Sequence, residues 1–108
     1  NKRIANMLRQ AGGADARALE AVLLQQAEER ALYAALEDVR PEAERLLDVR
    51  DYGAALQRLA RLRPAVDAFF DSVMVMAEDD AVRANRLALL ARVRELFLRV
   101  ADLSRLPG

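Results

Sequence analysis

Residues 81–100 read AVRANRLALLARVRELFLRV, and their spacing decides the fold. Wound at about 100° per residue, Val82, Leu89, Leu90, Val93, Leu96, Phe97 and Val100 gather on one stripe, as in an amphipathic α-helix with a buried face. Arg86 falls close to the middle of that stripe. A guanidinium on an apolar face is costly unless it is paired, so the stripe predicts a partner. Asp67 and Asp71 stand four residues apart in the preceding apolar segment, and Asp79 and Asp80 lie in the turn between. The expected arrangement is a partly buried ion pair, with Asp71 as the first choice of partner for Arg86. The alternative is a groove in which Arg86 meets a ligand phosphate or base.

Outward from this helix the same periodicity recurs. Ile4, Met7 and Leu8 share one side of a first helix, which Gly12 and Gly13 end by accepting left-handed backbone. Residues 15–27 carry no clean stripe and read as a short helical turn or an ordered linker. In EERALYAALEDV, residues 28–39, Leu32, Leu36 and Val39 align, with acids in the first turn where the helix dipole favours them. Pro41 would cost about 3 kcal/mol inside a helix and little at its start, so PEAERLLDV is expected to begin a separate short helix. Asp51 is a good N-cap for the next. From there Tyr52, Ala55, Leu59, Leu62, Val66, Phe70 and Val73 keep phase across Pro64. That predicts one kinked helix from residue 52 to about 75, or two abutting segments nearly in line. Asp79 or Asp80 should cap the last helix, running to about Asp102. Val66, Phe70 and Val73 are expected to pack on Leu89, Val93 and Leu96 of an antiparallel neighbour, and the Val73–Met76 run, VMVM, reads as core. There is no strand-like alternation. The reading is all-α, an antiparallel helical bundle of about five helices in a single domain, residues 1–108.

Composition narrows the function. Of 108 residues, 54% are hydrophobic, enough for a real core. There is no Cys and no His, which removes disulfides, thiolate metal sites and the commonest general base. Ser72 and Ser104 are the only serines, so no serine triad can form, and Gly12-Gly13 lacks the spacing of a phosphate-binding loop. Neither a catalytic site nor a metal or cofactor site is expected in this stretch. No apolar run approaches the roughly 20 residues needed to span a bilayer. The chain starts with Asn and reads as a fragment of a longer cytoplasmic protein. Its zero net charge hides a segregation. Residues 1–17 hold four bases against one acid, residues 67–80 hold five acids and no base, and residues 83–105 hold six arginines against two acids. One basic face attracting phosphate is one outcome; mutual neutralisation between neighbouring helices is the other.

The blocks NKRIANML at residues 1–8 and VDAFFDSVMVMAEDDAVRANRLALLARVRELFLRVADLSRL at residues 66–106 carry a resemblance. With the motifs F-F-D-x-V-M-V-M and R-x-N-R-L-A-L-L, they resemble the C-terminal domain of bacterial glycyl-tRNA synthetase beta subunits. That region is similar to the all-α anticodon-binding, or DALR, domain of arginyl-tRNA synthetases, although the letters D-A-L-R do not occur here. The resemblance implies a helical bundle that docks on the anticodon arm of tRNA and contributes to glycyl-tRNA aminoacylation. It implies that glycine activation, with ATP, belongs to the alpha subunit. The implied partners are tRNA, the alpha subunit and the other domains of the beta subunit, without a membrane. Candidate tRNA contacts are Lys2 and Arg3, which open the first helix, and Arg83 in the first turn of the last. Arg94 and Arg105 share its flank, each eleven residues further along and about 20° further round. Asn6 and Asn85 are candidates for reading bases. The competing reading is a helical scaffold that docks other domains or subunits.

Overall fold

The computed structural model describes residues 2–104. Among them the chain is all-α: α1 (Lys2–Gln10), α2 (Ala27–Asp48), α3 (Tyr52–Ala60), α4 (Arg63–Ser72) and α5 (Asp80–Ser104), with two short 3-10 turns at Ala16–Ala18 and Ala21–Leu23. These turns occupy the stretch whose spacing showed no stripe. The direction of packing follows from cross-helix pairs. Glu29, Glu37 and Glu44 of α2 meet Arg86, Arg92 and Arg99 of α5 in the same order, so those two helices run alike. Between them in sequence, α3 and α4 run back: Arg58 pairs with Glu42 at 2.6 Å, and Met74 reaches the Glu29 end through Arg86. The result is an up–down–up bundle, with α1 and the first 3-10 turn laid against α5.

Helix ends are fixed by local chemistry. At Gly12 and at Arg50 the chain closes with the same pair of bonds. Gly13 N–H donates to Leu8 O and Gly12 N–H to Arg9 O; Asp51 N–H donates to Leu46 O and Arg50 N–H to Leu47 O. This is the Schellman arrangement, which needs left-handed backbone at its turning residue. Gly12 adopts φ +81 and Arg50 φ +62. Asp51 caps α3 by accepting from Ala54 N–H at 3.2 Å, and Asp79 caps α5 by accepting from Val82 N–H at 3.0 Å.

Three expectations give way to packing. Pro41 does not start a helix; α2 passes through it without a break. Pro41 itself is exposed, while Leu32, Leu36 and Val39 before it and Ala43, Leu46 and Leu47 after it lie on one continuous buried face. Burial of that face outweighs a cost of about 3 kcal/mol at the proline. The long helix expected over 52–75 is two segments. Arg61 and Leu62 form a tight turn between them, and Pro64 sits in the first turn of α4, where its missing N–H costs little. Finally, the core aromatic is Phe69, fully buried, rather than Phe70, which is half-buried. Steps of three and of four from Val66 both fit a helix, so periodicity alone does not choose between them. The α4 helix packs chiefly on α2, and α3 rather than α4 lies along α5.

The VMVM run lies outside the helices, extended at Val73 and bent at Val75 and Met76; Val73 and Val75 are buried, but Met74 and Met76 are exposed and so are not core. In α5 the apolar stripe widens to a buried girdle, residues 85–91, where Asn85 meets Glu20 and Arg86 meets Glu29 and Met74. No helix among the described residues is long and apolar enough to cross a membrane.

Candidate nucleic-acid interface

Arg86 is buried, as its place on the stripe requires, but its partner is not Asp71. Its Nη2 donates to Glu29 Oε1 at 3.0 Å, and its Nη1 donates to Met74 O at 2.7 Å. Glu29 is itself fully buried and accepts at the same oxygen from Gln26 N–H at 3.0 Å. The carboxylate that satisfies Arg86 therefore also closes the N-terminus of α2. Asp71 is exposed, and Asp67 faces Arg3 across 3.8 Å. Sequence favoured the nearer acids. Glu29, 57 residues from Arg86, read only as a first-turn acid, and burial of the α2 N-terminus has no local sequence signal.

The neighbouring Asn85 is buried as well, with 2% exposure. Its Oδ1 accepts from Glu20 N–H at 2.7 Å, which pins the second 3-10 turn to α5 and removes Asn85 from the set of surface base readers. Arg83 is tied down too: Nη1 donates to Ala77 O at 2.9 Å and Nη2 to Asp80 at 2.5 Å. Both of its ends bind the turn that starts α5, so it orders that turn rather than presenting an open cation.

The other candidates converge elsewhere. Lys2 and Arg3 line a groove of about 600 Å³ together with Arg63, over a floor of Leu56, Leu59, Val66 and Phe97. Four helices build it: α1 supplies the two leading cations, α3 supplies Leu56 and Leu59, α4 supplies Arg63 and Val66, and the C-terminal half of α5 supplies Phe97. Arg3 is held over the Phe70 ring at 4.4 Å and faces Asp67. The ring positions the guanidinium, and Asp67 pairs with it. Phe70 in turn meets Phe69 edge-on, centroids 5.9 Å apart. Asn6 is exposed on α1 and accepts a hydrogen bond from Arg9. Arg94 is half-buried, one turn before Phe97 on α5. Arg105 lies outside the described residues. Sequence reading does not single out Arg63, and it places Phe97 on the buried stripe; the structure brings both to the groove.

Chemically, a cationic rim over an apolar floor attracts phosphate at its edge and accepts a flat apolar surface at its base. Among the described residues no group of three acidic side chains is placed to hold a metal ion.

Fold and groove thus define a class, an all-α bundle that presents a basic groove along its central helix. Residues 1–103 match the family model of the DALR anticodon binding domain, and the chain belongs to that family. It is 52% identical over 108 residues to the glycine–tRNA ligase beta subunit of Acinetobacter baumannii, covering 100% of this chain and 16% of the relative. The beta subunit of Marinobacter nauticus is also 52% identical over 99% of the chain, and that of Delftia acidovorans 52% over 100%. The chain spans 16% or 15% of the length of these curated relatives.

Proposed function

We propose that this domain binds the anticodon arm of tRNA within a glycine–tRNA ligase beta subunit, contributing to glycyl-tRNA aminoacylation without carrying the catalytic site. The family match over residues 1–103 carries the reading, and the convergence of Lys2, Arg3 and Arg63 on one groove supports it. In this reading the cations hold phosphates and position the RNA, while discrimination falls to groups that touch bases. Asn6 and the Phe97 floor are the nearest such groups. The partners are tRNA, an alpha subunit and the other domains of the beta subunit; ATP is consumed by the whole enzyme and not by this domain. With zero net charge the domain gains affinity by sharing one tRNA with other contacts of the enzyme.

The experiment is a titration of the native polypeptide that carries these residues, with glycine tRNA and a non-glycine tRNA across a salt series. Lys2→Ala/Arg63→Ala should weaken both complexes and flatten the slope of log affinity against log salt by roughly 0.7 to 0.9 for each phosphate no longer held. An unchanged affinity and slope would refute the groove as the RNA site. The second reading, a scaffold that docks another domain, is favoured by one observation: Met74 is 71% and Met76 47% exposed beside the buried Arg86. Flexible methionines suit an adaptable apolar contact.

A further inference from the structure

On the opposite flank of α5 from Phe97 lies a second depression, about 360 Å³, which the proposed function does not use. It is lined by Arg17, Arg40, Arg92 and Arg99, by Glu44 and Glu95, and by the apolar floor of Leu36 and Leu96. We propose that this cleft is a second phosphate-binding site, which takes the sugar–phosphate backbone of the same RNA after it leaves the groove. The inference rests on the RNA-binding reading of the domain and adds a site to it.

Three observations carry it. First, four arginines line the cleft against two carboxylates, Glu44 and Glu95, while the other acids that pair with them, Asp15 and Glu37, stand outside its lining. Arg40 pairs with Glu37 at 2.6 Å, so that Arg92, at 4.0 Å from the other oxygen of Glu37, is left under-compensated. Arg99 meets Glu44 at 3.2 Å. Second, one guanidinium is preorganised. Arg92 Nε donates to Ala16 O at 2.8 Å, which fixes the plane of the group while its side chain stays 33% exposed. A fixed fork beside an open cleft suits a phosphodiester, whose two free oxygens match guanidinium geometry. Third, the existing pairs are exchangeable. The Arg40 and Arg99 side chains are 45% and 55% exposed. Ion pairs this open contribute little to stability, so a phosphate can replace a carboxylate at small cost. Arg17, on the first 3-10 turn, has a side chain 93% exposed at the mouth, where its backbone N–H holds the Asp15 carboxyl below the usual carboxylate range.

Leu96 and Phe97 are consecutive, so the cleft and the groove flank the same turns of α5. A strand that leaves one reaches the other by crossing a helix about 10–12 Å across. Contacts of this kind hold backbone and read no sequence.

The test uses the native polypeptide and full-length tRNA, with affinity measured against salt. Arg40→Gln/Arg99→Gln should flatten the slope by roughly 1.4 to 1.8, two phosphates at 0.7 to 0.9 each, equally for glycine and non-glycine tRNA. Arg40→Lys/Arg99→Lys should keep most of the slope. Glu44→Gln, which retains every arginine and removes a competing carboxylate, should tighten binding, and it decides the matter should the Gln pair fail to fold. If the Gln pair leaves the slope unchanged while Lys2→Ala/Arg63→Ala flattens it, the second site is overturned and the groove stands. If the Gln pair flattens the slope and the groove variant does not, the cleft stands and the groove reading falls. Failure of Glu44→Gln to tighten binding overturns the cleft.

Discussion

The two ends of α5 put arginine to opposite uses. Near its start, Arg86 is sealed in the core, with Nη2 on the Glu29 carboxylate and Nη1 on Met74 O. Along its far half, Arg92 and Arg99 stand around an open depression, held in place by a carbonyl and by a half-exposed acid. Composition cannot separate the two, since both ends are arginine-rich stretches of one helix. What separates them is what the rest of the chain lays on top. The α2 N-terminus, the second 3-10 turn and the 73–79 segment close over Arg86, whereas the far half is flanked by surface depressions.

The largest expected effect tests that difference directly. Glu29→Ala strips the sealed arginine of its counter-charge and should destabilise the fold by about 3–5 kcal/mol. Glu44→Ala removes an acid of the same kind from the open end and should cost no more than about 1 kcal/mol. Denaturant midpoints of the two variants, measured side by side, check the contrast; equal small losses would mean that Arg86 is not sealed. Glu29→Leu/Arg86→Met, which removes both charges, should recover most of the loss, because a well-packed apolar pair replaces a buried ionic one at little cost.

Next come the paired aromatics, one on each side of the same boundary. Phe69 is fully buried and Phe70 lies half-buried under Arg3. Phe69→Ala should cost about 3–5 kcal/mol. Phe70→Ala gives up partial burial and a cation–π interaction and should cost about 1–2 kcal/mol. Thermal melting separates them, and reversed magnitudes would put the core where the sequence stripe placed it.

That pair also marks how much was legible. The helical class, the last helix, the Asp51 cap, a cap at Asp79 or Asp80 and the burial of Arg86 follow from local spacing and end chemistry, and the structure shows each, with Asp79 as the cap. The partner of Arg86, the choice of Phe69 over Phe70 and the continuity of α2 through Pro41 do not. Each is decided by which surfaces meet, and one sequence carries no direct record of that. The same holds for the interface. Lys2 and Arg3 were visible as leading cations, but Arg63 and Phe97 join them only through the corner between α3 and α4. Asn85 and Arg83 looked exposed in sequence and are consumed by the fold's own turns.

The smallest effect concerns two helix ends built alike. Gly12 and Arg50 occupy the same turning position of the same bonding pattern, at φ +81 and +62. Glycine enters left-handed backbone freely, whereas a residue with a Cβ incurs roughly 1–2 kcal/mol. Arg50 recovers part of that as a cation at the C-terminus of α2, where the dipole contributes about 0.3–1 kcal/mol. Arg50→Gly should therefore stabilise the fold by about 1 kcal/mol or less at low salt. The gain should grow as salt screens the dipole interaction that arginine alone enjoys. Gly12→Ala should do the reverse, costing about 1 kcal/mol with no salt dependence, since no charge is involved. Urea midpoints at two salt concentrations distinguish the cases. A gain for Arg50→Gly that ignores salt would mean the charge contributes nothing there. A net destabilisation would mean that the arginine makes an interaction strong enough to outweigh its backbone strain.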